Sequence, residues 1–149
     1  MVVADHLDEL FALDARIAVT SPDILPLESP EELLSYLTIE HQSDTYIWNN
    51  QERELTGYVS VIIQHDDPVV EILNIGIDPR YQGQGCGQKL MQFAEQIARG
   101  AGKRRMKLVT AVSNESAQKF YTNLGYKIVG ELENTYNDGK PRYRFEKEL

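Results

Sequence analysis

A short segment rich in glycine carries the clearest chemical signal in this chain. In Gln82-Gly83-Gln84-Gly85-Cys86-Gly87, glycine alternates with other residues between a strongly apolar stretch and an amphipathic one. Glycine removes the Cβ atoms that would hold a ligand away from the backbone, and the first amides of a helix have no partner within that helix. The segment therefore predicts a site for an anion, most naturally a phosphate, although the same glycines also suit a tight strand-to-helix turn.

Two common phosphate-binding motifs do not fit this spacing. A Walker loop ends in Gly-Lys-Ser/Thr, whereas Gly87 is followed by Gln88-Lys89-Leu90. A Rossmann fingerprint places its third glycine three positions after the second, with an acidic residue about 20 positions further on. Here the glycines are evenly spaced, and the corresponding later segment, Lys103 to Lys107, is basic. Both motifs are excluded.

A second segment follows further along the chain. Asn114-Glu115-Ser116-Ala117 precedes Phe120-Tyr121 and Leu124-Gly125-Tyr126. This segment resembles the later motif of the GCN5-related N-acetyltransferase (GNAT) superfamily, and Gln82-x-x-Gly85-x-Gly87 resembles that family's acetyl-coenzyme A motif. Both blocks fall within residues 69–130, in the family's order and at its usual separation. On this resemblance the chain is identified as a member of the superfamily.

The resemblance implies an α/β (α+β) fold. Its sheet is mixed and mostly antiparallel, is flanked by about four helices, and is splayed between the strands that the family counts as fourth and fifth. By position, these are Val69 to Ile77 and Met106 to Val112. The family's first strand is expected to be short or missing, because only Met1-Val2-Val3 precedes the first helical segment. That edge could be completed by a second subunit, so a homodimer stays an open expectation.

The resemblance also implies where acetyl-CoA, the co-substrate, would bind. The pyrophosphate would contact the amides of the glycine loop, and the pantetheine arm would lie between the splayed strands, against main-chain groups of Ile75 and Ile77. Asn114 would contact the same arm, although an ordinary helix N-cap is the alternative for it. The expected binding residues are Ile75, Gly76, Ile77, Gln82, Gly83, Gln84, Gly85, Cys86, Gly87, Gln88, Asn114 and Tyr121. Cys86 is expected to act there as a small side chain and not as a nucleophile.

Two residues match the family's catalytic positions. Glu71 matches the general base of the histone-acetylating branch, with a solvent-exposed glutamate at a strand end as the alternative. The ribosomal-protein-acetylating branch uses a glutamate on the fifth strand, where this chain has Val109. Tyr121 matches the family's acid, because a tyrosine hydroxyl can hydrogen-bond or protonate a departing thiolate. Its alternative is packing against Phe120.

Hydrophobic periodicity and turn residues predict the order α, α, β, β, β, α, β, α, β, β. Ser29-Pro30-Glu31-Glu32 predicts a helix N-cap with a capping box completed by Glu32. Asn137-Asp138-Gly139 predicts the final hairpin turn. The predicted helices span 4–18, 30–37 and 87–99, with a fourth that starts at Ser113-Asn114; the first strands span 45–48, 55–64 and 69–77. The run 69–77 is too continuously apolar for a strand with one solvent-exposed face, so it is expected to lie in the centre of the sheet.

Length and composition limit the remaining possibilities. The 149 residues suit a single N-acetyltransferase domain over 1–149, with residues 1–54 on the acceptor side and 69–130 as the acetyl-CoA core. The single Cys86 excludes an intramolecular disulfide and predicts a reducing compartment, the cytoplasm. Three scattered histidines form no metal-ligand pattern, so no metal is expected. No apolar run is long enough to span a membrane.

Charge is distributed unevenly, and this bears on the partners. Residues 1–54 hold 12 acidic and 2 basic side chains, although the whole chain has a net charge of −8. Such a chain has no overall attraction to nucleic acid, and an acidic acceptor side would attract a cationic amine. Two functions remain open: an N-acetyltransferase that acts on a small amine or on a peptide or protein amine, and a non-catalytic acyl-CoA binding module.

Overall fold

The computed structural model describes residues 4–20, 27–40, 42–133 and 138–149. In these ranges, four α-helices flank one six-stranded sheet. The helices are α1 (Leu7–Thr20), α2 (Pro30–Ser35), α3 (Cys86–Gly100) and α4 (Glu115–Asn123). The strands are β1 (Asp44–Asn49), β2 (Leu55–Ile63), β3 (Val69–Ile77), β4 (Arg105–Ala111), β5 (Lys127–Leu132) and β6 (Arg142–Glu148). Short 3₁₀ turns occur at Ala4–His6 and Pro79–Tyr81, and a π-helical segment at Tyr36–Glu40.

The order of these elements confirms the sequence prediction. Residues 1–3, on which the expectation of a short or missing first strand rested, lie outside the described residues, as does Asn137 of the predicted hairpin turn. Gly139, the last residue of that turn, has a φ of 71°, the left-handed conformation that favours glycine.

The start of α2 follows the predicted capping, with one difference. Ser29 is the N-cap, and its Oγ accepts a hydrogen bond from the Glu32 amide at 3.2 Å. The Glu32 carboxylate accepts from the amide of Glu28 at 2.6 Å, not from that of Ser29, as a capping box requires. The prediction of a complete box was therefore wrong by one residue. A carboxylate on a side chain of this length reaches the neighbouring amide equally well.

The sheet has the strand order β1-β2-β3-β4-β6-β5, so β3 is an inner strand as predicted. All neighbours pair antiparallel except β3 and β4, which are parallel. Their pairing runs only from Val69↔Arg105 to Glu71↔Lys107. Beyond Glu71 the two strands have no paired residues, which confirms the predicted splay. The sheet is therefore open on one side of β3 over most of that strand.

Two hydrophobic cores cover the two faces of the sheet. On one face of the sheet, the apolar stripe of α3 packs together with residues of α4 and β6. Its buried members are Leu90, Met91, Ala94 and Ala98. On the other face, α1 and α2 bury a second group against β2: Leu10, Leu13, Ile17, Leu33, Leu37, Leu55 and Tyr58. The gap between β3 and β4 lies between these two cores.

A bulge in β3 sets which side chains face each core. Ser60 of β2 pairs with Asn74 of β3, and the next residue, Val61, pairs with Ile72. Leu73 is therefore an extra residue on β3. Ile72 and Ile75 consequently both pack with the α3 core, whereas Leu73 packs with the α1 core. The bulge falls where β3 has already separated from β4.

Candidate active site

The open side of β3 presents main-chain groups to the gap. The Asp78 amide donates to the Thr56 carbonyl of β2 at 2.9 Å. Because successive residues of a strand direct their main-chain groups to opposite sides, those of Ile75 and Ile77 point towards β4, which is no longer paired there. The Ile77 carbonyl accepts from the Gln82 side-chain amide at 3.1 Å. The main-chain groups of Ile75 and Ile77 therefore face the gap, and their contact with a pantetheine arm stays a prediction.

The glycine loop ends in the exposed start of α3. Gly83 and Gly85 have φ values of 75° and 82°, a conformation that disfavours most side chains. Gly85 is the N-cap residue, and the first amide that bonds back to it is that of Lys89, at 3.1 Å. Among the described residues, the amides of Cys86, Gly87 and Gln88 have no backbone partner. They lie at the N-terminal end of the predicted helix, where amides without partners can bind an anion, and their contact with a pyrophosphate stays a prediction.

Space above the loop is open, whereas its base is tightly packed. A Cβ on Gly83 or Gly85 would meet no atom within 4 Å. A Cβ on Gly87 would come within 3.1 Å of the Phe120 ring, so a larger residue there would require that ring to shift by a few tenths of an ångström. The glycines therefore have two physical roles: two allow the turn and leave room for a ligand, and one allows close packing of the helices.

A buried carboxylate that the sequence analysis missed holds the loop in place. Asp78 is fully buried and accepts hydrogen bonds from the Arg80 amide and from Arg16 Nε, both at 2.9 Å. Arg80 also binds Glu54 at 2.8 Å. Hydrogen bonds from Arg80, supported by Arg16 and opposed by burial, hold the pKa of Asp78 well below its ordinary value. This network fixes the end of β3 to α1 and to β2.

Tyr121 lies where β4 and α4 border the gap. Its ring is buried against Phe120, Tyr126 and Phe145, with ring centroids 5.3, 6.2 and 5.8 Å away. Burial raises the pKa of its hydroxyl to about 12, so at neutral pH the group is a hydrogen-bond donor. Although Tyr121 lines the cleft, its hydroxyl has no hydrogen-bond partner among the described residues. Both the packing role and an available hydroxyl are therefore present.

Asn114 is the N-cap of α4, as the alternative interpretation expected. Its Oδ1 accepts from the Ala117 amide at 3.1 Å. Its Nδ2 makes no hydrogen bond within the described part of the chain, and the residue lines the cleft. Capping uses the oxygen and leaves the two amide hydrogens for a ligand, so the two interpretations are compatible.

Glu71 lies at the closed end of the gap. It belongs to the last paired position of β3 and β4, opposite Lys107. Its Oε2 is 3.3 Å from Lys107 Nζ, and both side chains are about one third exposed. Glu71 is not among the residues that line the cleft, whereas Val109, at the other family base position, is. Its role as general base therefore stays a prediction.

One cleft of about 1220 Å³ joins these features. It is lined by the predicted residues Ile75, Gly76, Ile77, Gln82, Gly83, Gly85, Gly87, Gln88, Asn114 and Tyr121. Gln84 and Cys86 belong to the loop but do not line the cleft: the Gln84 side-chain amide donates to the Arg80 carbonyl at 3.3 Å instead. The cleft continues across the sheet to α1, where its lining includes Asp14, Tyr36 and Tyr58. The sequence analysis did not single out these three residues.

Within the described residues, no three His, Cys, Asp or Glu side chains are grouped closely enough to hold a metal ion. In the same part of the chain, no helix is long and apolar enough to cross a membrane.

Comparison with known proteins identifies the family. The model of the "Acetyltransferase (GNAT) family" matches residues 8–126. The chain belongs to this family. A Bacillus subtilis relative, provisionally named a ribosomal protein bS18-alanine N-acetyltransferase, is 33% identical over 134 residues, which are 90% of this acetyltransferase and 83% of the relative.

Solved structures share the fold at low sequence identity. A spermidine N-acetyltransferase chimera from Vibrio cholerae has a TM-score of 0.80 at 22% sequence identity. The matched region covers 97% of this chain and 90% of the chimera. An aminoglycoside 6'-N-acetyltransferase solved with coenzyme A has a TM-score of 0.75 at 21% sequence identity. The matched region covers 95% of this chain and 89% of that enzyme. The predictions of the family, the fold class, the enzyme class and acetyl-CoA as co-substrate are confirmed.

Proposed function

We propose that this acetyltransferase transfers an acetyl group from acetyl-CoA to a primary amine by direct attack, with both substrates bound at once. The observation that carries the proposal is a continuous cleft that crosses the sheet through the β3–β4 gap. The glycine loop and α4 border it on one side, and α1 and Tyr58 on the other. An acyl donor and an amine can therefore reach the same stretch of β3 from opposite faces, which supports direct attack.

Main-chain groups do most of the donor binding in this proposal. The amides of Cys86, Gly87 and Gln88 bind the pyrophosphate, because they lack partners in the described structure and lie at the positive end of α3. Ile75 and Ile77 offer main-chain groups to the pantetheine amides, as a neighbouring strand would. The thioester of the bound donor supplies an activated acyl group. Asn114 Nδ2 adds one more donor at the edge of the gap.

Tyr121 stabilises the departing thiolate mainly by a hydrogen bond. An ordinary thiol has a pKa of about 8.5, whereas the hydroxyl of Tyr121 has a pKa of about 12. Complete proton transfer from Tyr121 to an ordinary thiolate is therefore unfavourable. A hydrogen bond to the developing charge carries no such penalty, and the unpartnered hydroxyl is suited to donate it.

The amine must lose a proton before it attacks, since an alkyl ammonium has a pKa of about 10.4. By its family position, Glu71 is the proposed general base, acting through a water molecule. Its ion pair with Lys107 competes with this role, because Lys107 occupies one of the two carboxylate oxygens.

The acceptor is a primary amine, either a small molecule or the amine of a peptide or protein. The Bacillus subtilis relative, named for the alanine of a ribosomal protein, supports a peptide amine. The acidic residues 1–54 support an acceptor with positive charge, although most described acids there, such as Asp5, Asp8 and Glu31, are exposed on the surface. Asp14 is the buried exception.

A screen of amine acceptors with a free-thiol readout tests this function. We expect thiol release from acetyl-CoA that requires both enzyme and amine, and an acetylated amine product of matching yield. Binding of acetyl-CoA by calorimetry with no amine-dependent thiol release across amino acids, peptides, polyamines and drug-like amines would favour the alternative, a non-catalytic acyl-CoA binding module.

A further inference from the structure

We propose that Asp14, held in place by Tyr58, binds the ammonium group of the acceptor, and that the preferred acceptor carries one positive charge beside an apolar group. This inference rests on the proposed function, since it assigns the acceptor side of the same cleft. It also concerns a residue outside the glycine loop, α4 and Glu71.

The first support is the geometry of the carboxylate. Asp14 lies on the buried face of α1 and is only 7% exposed. Its Oδ1 accepts a hydrogen bond from the Tyr58 hydroxyl at 2.6 Å. Its Oδ2 has no hydrogen-bond or ion-pair partner among the described residues, and Asp14 lines the cleft. One oxygen is therefore fixed by the protein, and the other remains for a ligand.

The second support is the position of this pair relative to the donor site. Tyr58 lies directly over Gly76: a Cβ on Gly76 would be 2.8 Å from Tyr58 Cε1 and 2.6 Å from Ile17 Cδ1. Gly76 stands between Ile75 and Ile77, whose main-chain groups face the gap. Only glycine lets the Tyr58 ring approach the strand so closely. The carboxylate is thus held on the acceptor face of the stretch of β3 that borders the donor.

The third support is the chemistry of the surroundings. Burial raises the pKa of Asp14, and the hydrogen bond from Tyr58 offsets only part of this effect. A buried carboxylate is stabilised by a cation, which restores the interaction lost with water. Among the described residues, the titratable group that contacts it is the hydroxyl of Tyr58, which has Tyr36 near it in turn. Neither supplies a positive charge, so an ammonium ion is the ligand that complements this site.

The walls of the site indicate what else the acceptor carries. Among the described residues that line the cleft on the α1 and α2 side, Asp14 is the sole acid, and Ile17, Leu27 and Leu33 are apolar. Tyr36 and Tyr58 add aromatic rings, which attract cations and pack against apolar groups. One charge beside an apolar body fits these walls better than a polycation does. An alkyl or arylalkyl amine, or a peptide N-terminus with an apolar first side chain, has this form.

Asp14→Asn is the central variant, because asparagine keeps an oxygen for the Tyr58 hydroxyl while it removes the charge. Asp8→Asn is the matched control, since it makes the same change at an exposed position of α1. The probes are benzylamine, cationic at pH 7, and benzyl alcohol, its neutral analogue of similar shape. Calorimetry on the coenzyme A complex of each protein measures binding without requiring turnover.

We expect the wild-type complex to bind benzylamine at least tenfold more tightly than benzyl alcohol. Asp14→Asn should weaken benzylamine binding at least tenfold and leave benzyl alcohol and coenzyme A within twofold; Asp8→Asn should change none of them. Equal binding of benzylamine by wild type and Asp14→Asn would overturn the proposal. So would equal binding of the two probes by the wild type, a comparison that needs no folded variant.

The same experiment separates the two proposals. Charge-dependent benzylamine binding that is lost in Asp14→Asn, without amine-dependent thiol release in any acceptor screen, would support the ammonium site and contradict acetyl transfer. Acetylation of benzylamine with the same kcat/KM in wild type and Asp14→Asn would support the transferase function and contradict the role of Asp14 in binding the acceptor.

Discussion

The anion site at the start of α3 can be tested by placing one charge on Gly85. This residue has a φ of 82°, and a Cβ there would meet no atom within 4 Å. Asparagine and aspartate are the side chains that best tolerate this conformation, so Gly85→Asn and Gly85→Asp impose similar strain. The two variants differ by one negative charge beside the unpartnered amides of Cys86, Gly87 and Gln88. Any difference in affinity for acetyl-CoA between them is therefore electrostatic.

The size of this difference follows from Coulomb's law. Two unit charges about 5 Å apart repel each other by roughly 0.8 kcal/mol even with the full dielectric constant of water. A pyrophosphate with two charges near the carboxylate raises this to about 1.7 kcal/mol, roughly a 15-fold loss of affinity at low salt. Exclusion of water by the loop and the helix increases this repulsion, and added salt reduces it.

Calorimetric titration of wild type, Gly85→Asn and Gly85→Asp with acetyl-CoA provides the assay. Affinity should fall in that order, and the gap between the two variants should shrink as salt rises from 0.05 to about 0.5 M. Thermal unfolding of both variants controls for strain. The Tm of Gly85→Asp should equal or exceed that of Gly85→Asn, because its carboxylate lies at the positive end of α3. Equal affinities of the Asn and Asp variants at low salt would refute a pyrophosphate site at this loop.

Four further outcomes are expected. Tyr121→Phe should lower kcat by about 10²-fold, measured with an acceptor for which chemistry is rate-limiting, and should change the affinity for acetyl-CoA less than threefold. A loss of kcat below threefold would mean that Tyr121 has only a packing role. Glu71→Gln should reduce kcat/KM most at pH 6 and recover towards pH 9, and a flat ratio of rates over this range would leave Glu71 only as the partner of Lys107. Because the pKa of Asp14 is raised in the folded state, ionising Asp14 destabilises the wild type as pH rises through the raised value. The Tm of Asp14→Asn relative to that of the wild type should therefore increase from pH 4 to pH 7. A constant difference in Tm would contradict the argument that burial raises this pKa. Finally, kcat/KM for a cationic amine should exceed kcat/KM for the neutral arylamine aniline and should fall with added salt. Rates that do not depend on salt would show that the acidic side chains of residues 1–54 do not affect the choice of acceptor.

Local patterns in the sequence were enough to predict the elements that border the proposed donor side of the cleft. Glycine at positions 83 and 85 is required by their positive φ values, so the spacing of the residues already specifies the turn and the start of α3. The continuous apolar run of Val69–Ile77 predicted an inner strand, which the strand order confirms. The motif resemblance predicts that its main chain lies beside the donor. These features depend on neighbours within one or two turns of chain, and such short-range preferences are visible in a sequence.

The acceptor side depended on contacts between distant parts of the chain. The bond between Asp14 and Tyr58 joins residues 44 positions apart, and the one between Arg16 and Asp78 joins residues 62 apart. An aspartate beside Leu13 on the buried face of α1 was a visible anomaly, but its partner is fixed only when α1 packs on β2. Likewise, the pairing of Glu71 with Lys107 depends on the few residues over which β3 and β4 stay together. Long-range packing brings these side chains into contact, and no local spacing encodes it.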